Sequence, residues 1–328
     1  MTLTKHDVVV IGGGVLGSAV ASNIAARGTT VTLVTDDPRG TTRTSTASLA
    51  WVNANGASPD AYRAFRADAR AMHARLGADA GWFLPTGSTT DEVGVAADGY
   101  VDTDRFIAVH RSALLASGGA VRTGIRVRGL RRLGRRIVVA GDGADSPVEL
   151  MADTVVIAAG TGTARLASSI GADTRRLGTA TGPSGFLARV RLDHGLTRIR
   201  SAHGLQLRPD GPGVLAAQSL TIEQQLLERG DHATVATVWP ALRAELGSAL
   251  GRQVPEDALI RIDEAARPMS ADGLPVVGWV ADGVYALLTH SGVTLAPPLA
   301  DLVARDLGTD ADPRLDPYRP DRRIGSAP

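Results

Sequence analysis

The sequence predicts an α/β protein, and three observations set that class. Val8-Val9-Val10-Ile11 is an apolar run that stops at Gly12-Gly13-Gly14. Asp153 to Ala158 stops before Gly160 and Gly162, and Gly283 to Leu288 stops at Thr289-His290-Ser291-Gly292. Each junction leads into apolar residues at helical spacing. Between the second and third, Gly185 to Ile262 changes character and carries segments that alternate with period two, as antiparallel strands do. Strand–glycine–helix order at both ends and an antiparallel pattern between them place helices and strands in one chain of mixed architecture.

Composition bounds what such a chain can be. Its 328 residues suffice for a large core and about two domains. A net charge of +1 gives no overall field that would favour nucleic acid or a membrane surface. Aromatic residues make up only 4%, so packing relies on Ala, Val and Leu, and Lys5 is the sole lysine. The absence of cysteine excludes disulfides, thiolate metal sites, a catalytic thiol and a flavin attached through cysteine. No cleavable signal is evident, and no apolar run approaches the roughly 18 residues of a membrane span. The expectation is a soluble, cytoplasmic protein with no nucleic-acid or membrane partner and no metal.

The first junction carries the most specific pattern. Gly12, Gly14 and Gly17 stand at G-x-G-x-x-G spacing, Val15 and Leu16 open a helix, and Thr30 to Val34 supplies a second strand. Gly12 permits the tight turn, Gly14 lets the backbone approach a pyrophosphate, and Gly17 lets helix and strand pack closely. The first N–H groups of the helix then face the anion. The motif implies a dinucleotide and leaves NAD, NADP and FAD open. The acid that holds a ribose usually ends the second strand. Thr35 stands there, and the first acid is Asp36, which either reaches a ribose or forms a solvated turn with Asp37.

Gly40 to Gly56 is rich in hydroxyls and small residues. Thr44 or Ser45 can cap a helix there and direct N–H groups at phosphate, with Ala47 and Ser48 beside them. Trp51 follows, either as a wall of the ligand pocket or as core. Ala61 to Leu76 spaces Tyr62, Phe65, Ala69, Met72 and Leu76 as the inward stripe of a helix. Trp82 to Gly87 reads as an extended crossing segment. Asp102-Thr103-Asp104 caps a helix from Arg105 to Ala116, which Gly118-Gly119 ends. Val121 to Val127 and Ile137 to Val139 are predicted strands. The arginines from Arg126 to Arg136 lack interleaved aromatics, which favours a solvated hairpin over a nucleic-acid surface. The second junction, at Ala159 and Gly160, passes beneath the same ligand as the first.

Phe186 to Leu192, Leu205 to Leu207 and Val214 to Ala217 are predicted antiparallel strands, with Arg208-Pro209-Asp210-Gly211 as a hairpin turn. A helix pair covers Thr221 to Ala233 and Trp239 to Leu250. A strand from Leu259 to Glu264 runs into Ala266-Arg267-Pro268. The last junction leads into a helix with Leu299, Leu302, Val303 and Leu307 inward.

Three separated motifs agree on a family. The N-terminal glycine fingerprint, ADGLPVVGW (Ala271 to Trp279) preceded by Arg267-Pro268, and THSGVTLAP (Thr289 to Pro297) together resemble the D-amino-acid oxidase superfamily of FAD-dependent oxidoreductases. The glycine oxidase and sarcosine oxidase branch is nearest in pattern, and GYVDTDRF (Gly99 to Phe106) and ADTVVIAAGTG (Ala152 to Gly162) fit in their places. The resemblance implies a Rossmann-like doubly wound FAD-binding domain in discontinuous pieces, 1–81, 98–184 and 264–328. It is interleaved with a smaller antiparallel-sheet substrate domain from 82–97 and 185–263. That second domain is reduced, because Gly87 to Gly99 is short for the family. FAD is expected to be non-covalent, since Thr44 to Ala50 holds no histidine.

The same resemblance puts the backbone of Ser291, Gly292, Val293, Thr294 and Leu295 at the pyrimidine end of the flavin. A helix N-terminus there stabilises negative charge at flavin N1 and O2. It puts Thr44 to Ser48 at the pyrophosphate and Val127 at the adenine. Arg267 corresponds to the residue that anchors a substrate carboxylate, a task suited to a bidentate, permanently charged guanidinium. The competing reading of Arg267 is a buried ion pair with Glu264 or Asp263. Leu205 falls where glycine oxidases carry a substrate-binding tyrosine.

These expectations describe an FAD-dependent oxidoreductase of amine or amino-acid oxidase type. Arg267 and His290 are its candidate catalytic residues, and Trp51, Leu205 and Arg267 line its substrate pocket. The C–N bond of the substrate is oxidised by hydride transfer to flavin N5 with oxygen as acceptor. The alternatives are a dehydrogenase or biosynthetic tailoring enzyme with another acceptor, or a flavoprotein subunit that needs a partner. Homo-oligomer and partner subunit both stay open.

Overall fold

The computed structural model describes residues 4–37, 43–55, 59–91, 93–178, 184–308 and 310–322. Gly40 to Thr42 and Gly56 of the hydroxyl-rich stretch lie outside these, as does the side chain of Lys5. Among the described residues the largest sheet has eight strands. Six of them run in the order Val276–Ala281, Val284–Leu288, Pro147–Ile157, Thr4–Ile11, Val31–Val34 and Ala120–Arg122, and the hairpin Arg126–Leu133 with Arg136–Asp142 attaches to Pro147–Ile157. Pairing is parallel from Val284–Leu288 through to Ala120–Arg122 and antiparallel at Val276–Ala281. The chain moves outward from Thr4–Ile11 on one side and later returns on the other. The topological switch point therefore falls beside the first strand, where α/β sheets bind ligands at their carboxyl ends.

Both faces of this sheet are covered, which explains the unbroken apolar runs. Val8, Val10 and Val156 face the helices Val15–Ala25 and Gly292–Asp306, meeting Ala19, Val20, Leu295 and Leu299. Val9, Ile11, Val155 and Ile157 face the other way, onto the helix Thr163–Ser168 and the hairpin, through Leu166, Val127 and Ile137.

A second sheet has seven strands in the order Leu259–Ala266, Ser184–Arg191, Val214–Ser219, Leu205–Pro209, Ile199–Ala202, Ser88–Thr90 and Val93–Val95. One face packs on the helices Leu220–Arg229 and Val235–Leu250 through Phe186, Ala188, Leu207, Leu215, Ala217 and Trp239. The other face turns Leu187 and Ala216 toward Leu49 and Trp51. Arg189 and Arg208 on that face donate to the carbonyls of Thr46 and Leu49 at 3.4 and 2.8 Å, which ties the second sheet to the hydroxyl-rich loop. A small third sheet joins Trp51–Val52, Gly99–Val101 and Phe83–Leu84.

Two local differences from the sequence reading have physical causes. The predicted strand Val121 to Val127 is two strands, broken where Gly124 takes φ +69°. Ser88–Thr90, Val93–Val95 and Ile199–Ala202 escaped prediction because they are short and lie toward one edge of their sheet. The arginine-rich segment is the expected hairpin. Arg131 pairs with Glu149 at 3.0 Å, Arg136 with Asp153 at 2.9 Å and Arg132 with Asp282 at 3.2 Å. Among the described residues no helix is long and apolar enough to cross a membrane, and no group of three His, Cys, Asp or Glu is arranged to hold a metal ion.

Candidate functional site

The first strand ends at a turn that only glycine allows. Gly12 takes φ +110°, and a Cβ on it would lie 2.3 Å from the Ala158 carbonyl oxygen. A Cβ on Gly17 would lie 1.7 Å from the Gly12 carbonyl oxygen, so helix and turn touch backbone to backbone. Gly14 is the N-cap of the helix Val15–Ala25, yet no side chain caps it and no acid stands in its first turn. Among the described residues, Ser45 Oγ accepts from the Val15 N–H at 3.4 Å. Across the crevice Gly160 takes φ +55°, with nothing within 4 Å of where a Cβ would be, and Ala159 beside it is partly exposed. Gly12, Gly14, Leu16, Thr44, Ala47 and Ser48 are also partly exposed, whereas Val15, Gly17 and Ser45 are buried beneath them. An uncapped helix N-terminus above an open glycine-lined floor fits the pyrophosphate of a dinucleotide.

The end of the second strand departs from the common pattern. Thr35, not Asp36, turns its side chain to the glycine loop: a Cβ on Gly13 would lie 2.9 Å from Thr35 Oγ1. That hydroxyl is buried and has no hydrogen-bond partner among the described residues. Such an orphan is what a ribose hydroxyl would satisfy. Asp36 is exposed. Arg111, from the helix Thr103–Ala116, donates to the Gly13 carbonyl at 2.7 Å. Burial lowers its pKa, and the nearby Asp37 opposes that shift. Val127 is buried in the core under the hairpin, and its carbonyl accepts from Arg165 Nη2 at 3.0 Å. Neither Thr35 as a hydroxyl facing the loop nor Arg111 as its neighbour was apparent in the sequence.

The second helix N-terminus converges on the same edge. Ser291 is the N-cap of Gly292–Asp306, again without a side-chain cap or an acid in the first turn. Ser291, Gly292 and Val293 are partly exposed, while Thr294 and Leu295 are buried. The turn is fixed from both sides. The Ser291 N–H donates to Thr289 Oγ1 at 3.1 Å, and the Tyr62 hydroxyl donates to Ser291 Oγ at 2.9 Å.

This helix has a defect that another element repairs. Pro297 and Pro298 lie inside it and have no N–H, so the carbonyls four residues earlier, Val293 and Thr294, lose their helical partners. His73, wholly buried on the helix Asp60–Ala80, brings Nε2 to 2.9 Å from the Val293 oxygen and 3.1 Å from the Thr294 oxygen. Facing two carbonyls, Nε2 must carry the proton. Burial pushes the His73 pKa down to about 4, against the weaker opposing effect of these two bonds, so the ring is neutral.

Arg267, the candidate substrate anchor, follows Ala266, whose carbonyl accepts from Thr44 Oγ1 at 3.3 Å. Arg267 does not pair with Glu264 or Asp263. Its Nη2 donates to both oxygens of Glu223 at 2.7 Å. Asp263 instead pairs with Arg189 at 2.6 Å, and Glu264 accepts from the Ala233 N–H at 3.2 Å. His290 is solvent-accessible, and its pKa is lowered, first by desolvation and then by the charges of Arg267 and Arg66. Arg66 is held by Asn53 through its carbonyl and its Oδ1 at 3.1 and 2.9 Å. Tyr62 and Arg66 lie one turn apart on one helix, and Tyr62 is buried in the core, as its place on the inward stripe predicts.

Trp51 is half-buried against Leu49, Leu187 and Ala216, and its Nε1 donates to the wholly buried Asp98 at 3.0 Å. Leu205 is a correction. It lies in the core cluster beneath the two roof helices, on the sheet face turned away from Trp51. Its neighbour Gln206 points the other way, opposite Gln218. Two cavities of about 770 and 940 Å³ lie elsewhere, beside Trp279 and beside His203, and contain none of these residues.

Comparison with known proteins agrees with this geometry. The family model described as DAO, FAD dependent oxidoreductase, matches residues 7–90 and 90–305. No curated protein sequence matches the chain. Among solved structures, glycine oxidase from Geobacillus kaustophilus is similar at 20% identity with a TM-score of 0.78, over 98% of this chain and 100% of that one. L-amino acid deaminase from Proteus vulgaris, lacking its specific insertion sequence, gives 16% and 0.78 over 97% and 94%. Iminodiacetate oxidase from Chelativorans sp. BNC1 gives 17% and 0.76 over 95% and 98%. At such identities these likenesses establish the fold, and the family match establishes the rest: the chain belongs to the DAO family of FAD-dependent oxidoreductases.

Proposed function

We propose that this family member oxidises the C–N bond of an amine or amino acid, with FAD held non-covalently and oxygen as the acceptor. The observation that carries the reading is the convergence of two helix starts that lack an N-cap side chain, where a Cβ on Gly292 would lie 3.4 Å from Leu16 Cδ1; His290 directly precedes the second of them, and the charge of Arg267 reaches it. When bound, FAD supplies the hydride acceptor.

The chain's own residues supply placement and charge. The N–H groups at the start of Val15–Ala25 would hold the pyrophosphate, and those at the start of Gly292–Asp306 would offset negative charge at the pyrimidine edge. Tyr62, through Ser291, and His73, through Val293 and Thr294, keep that second N-terminus in position. Arg267 orients the substrate from the side of the roof sheet. His290 has its pKa lowered, first by desolvation and then by the charges of Arg267 and Arg66, and as a neutral imidazole it can accept a hydrogen bond from the substrate amine. The amine reacts in its neutral form, because hydride loss requires a free lone pair. Leu187, Ala216 and Trp51 form an apolar wall that limits water.

The finer setting follows from the same reading. The division into an FAD-binding part (1–81, 98–184, 264–328) and a substrate part (82–97, 185–263), in a cytoplasmic enzyme, is the organisation we adopt. The test is anaerobic exposure of the yellow protein to a panel of amines and amino acids. Bleaching by at least one of them, followed by peroxide on admitting air, is the expected result. Bleaching without peroxide moves the acceptor away from oxygen, and a protein bleached by no member of the panel ends the proposal.

A further inference from the structure

The partner of Arg267 narrows the substrate class, and this inference rests on the C–N oxidation proposed above. Glu223 stands in the first turn of Leu220–Arg229, which begins where Val214–Ser219 leaves the roof sheet. Beyond that point the strand Ser184–Arg191 has lost a neighbour, since its pairing with Val214–Ser219 starts only at Ala188. Glu223 fills the gap. Its Oε1 accepts the Phe186 N–H at 3.0 Å, Gln218 Nε2 at 3.1 Å and Arg267 Nη2 at 2.7 Å, and its Oε2 accepts Arg267 Nη2 at 2.7 Å. The side chain is 7% exposed. Arg267 reaches it by lying across Gly185, where a Cβ would come within 2.2 Å of Nη2. An amide, a backbone N–H and a guanidinium thus close around one buried carboxylate.

We infer that Glu223 is an internal counter-carboxylate that occupies Arg267, so that the site takes amines lacking an α-carboxylate in preference to amino acids. A substrate carboxylate arriving at Arg267 would stand beside Glu223 with like charge. Displacing Glu223 would strand a buried charge, because its other two partners, Phe186 N–H and Gln218, are neutral donors. Arg267 and Glu223 together carry no net charge with which to attract an anion. Oε2 accepts only from Arg267 among the described residues and keeps acceptor capacity for an amine N–H.

Two measurements test this. The holoenzyme is titrated anaerobically with matched pairs, phenethylamine against phenylalanine and ethylamine against alanine, and flavin bleaching is followed. The amine of a pair should half-saturate at a concentration about tenfold lower than its amino acid. If the amino acid of each pair does as well or better, the inference is overturned while C–N oxidation stands; if no compound bleaches, both fall. Independently, acetate is titrated calorimetrically. Glu223→Gln keeps the side-chain shape but removes the charge, and should bind acetate about tenfold tighter than the unaltered chain. Equal binding by both overturns the inference. If the variant fails to hold flavin, the matched amine and amino-acid pairs on the unaltered holoenzyme decide alone, by the outcomes already stated.

Discussion

At the scale of single residues, the site depends on atoms that are absent as much as on those present. Gly17 has no room for a Cβ against the Gly12 carbonyl. Gly17→Ala is expected to yield a folded chain, by far-ultraviolet circular dichroism, that is purified colourless and does not take up added FAD. The fingerprint was legible because its physics is local: a turn, a close approach and a helix start within six positions. Arg267 was legible as a motif residue, yet its partner was not. Glu223 is 44 positions away, and only the ending of one strand brings it near. Removing one partner of a buried ion pair leaves the other uncompensated. Arg267→Leu is therefore expected to cost about 3 kcal/mol in urea unfolding, and the double variant with Glu223→Leu should regain much of it. Leu205 was misplaced for a similar reason. Alternation fixes which residues share a face but not which face meets the ligand, and one step along the strand separates core from pocket.

At the scale of elements, the pair Asp60–Ala80 and Gly292–Asp306 works as one unit through His73. Two consecutive prolines in a helix announce two orphaned carbonyls, so the sequence states the need for a donor. It does not say that the donor lies more than two hundred positions earlier. His73→Leu leaves both carbonyls buried without a partner and is expected to cost about 3 kcal/mol. In a background carrying Pro297→Ala and Pro298→Ala the helix supplies its own N–H groups, and the same change should cost about 1 kcal/mol less. The imidazole also gives a pH signature. Its folded pKa, about 4, lies below the ordinary 6.5, so between these values the unfolded chain binds a proton that the folded one refuses. Stability is complete above about pH 6.5 and declines as pH falls toward 4, by on the order of 2 kcal/mol at pH 5. His110, close by and also lowered to about 4 by burial, adds in the same direction. Urea midpoints measured from pH 7 to pH 5 should fall in the unaltered chain and fall less in His73→Leu.

At the scale of the whole molecule, the proposed cofactor site draws on distant pieces: the turn at Gly12 to Gly17, the loop at Thr44 to Ser48, the junction at Ala159 and Gly160, and the turn at Ser291 to Leu295. The recurrence of strand–glycine–helix junctions is what suggests such a discontinuous site in the sequence. The order of the strands and the orientation of the roof were not readable, because both depend on pairings such as Pro147–Ile157 between Thr4–Ile11 and Val284–Leu288. Discontinuous assembly has a thermodynamic consequence. A ligand that bridges the two ends of the chain binds only when both are folded, so it stabilises the whole by about 2.7 kcal/mol at a hundredfold excess over its dissociation constant. Flavin removal should therefore lower the unfolding midpoint in a single cooperative step, and added FAD should raise it in proportion to the logarithm of its concentration. ADP carries the same pyrophosphate but no isoalloxazine ring. It should recover only part of the shift, because it engages the helix start at Gly14 and leaves the one at Ser291 without its ligand. An ADP shift equal to that of FAD would show that the C-terminal turn takes no part in holding the cofactor.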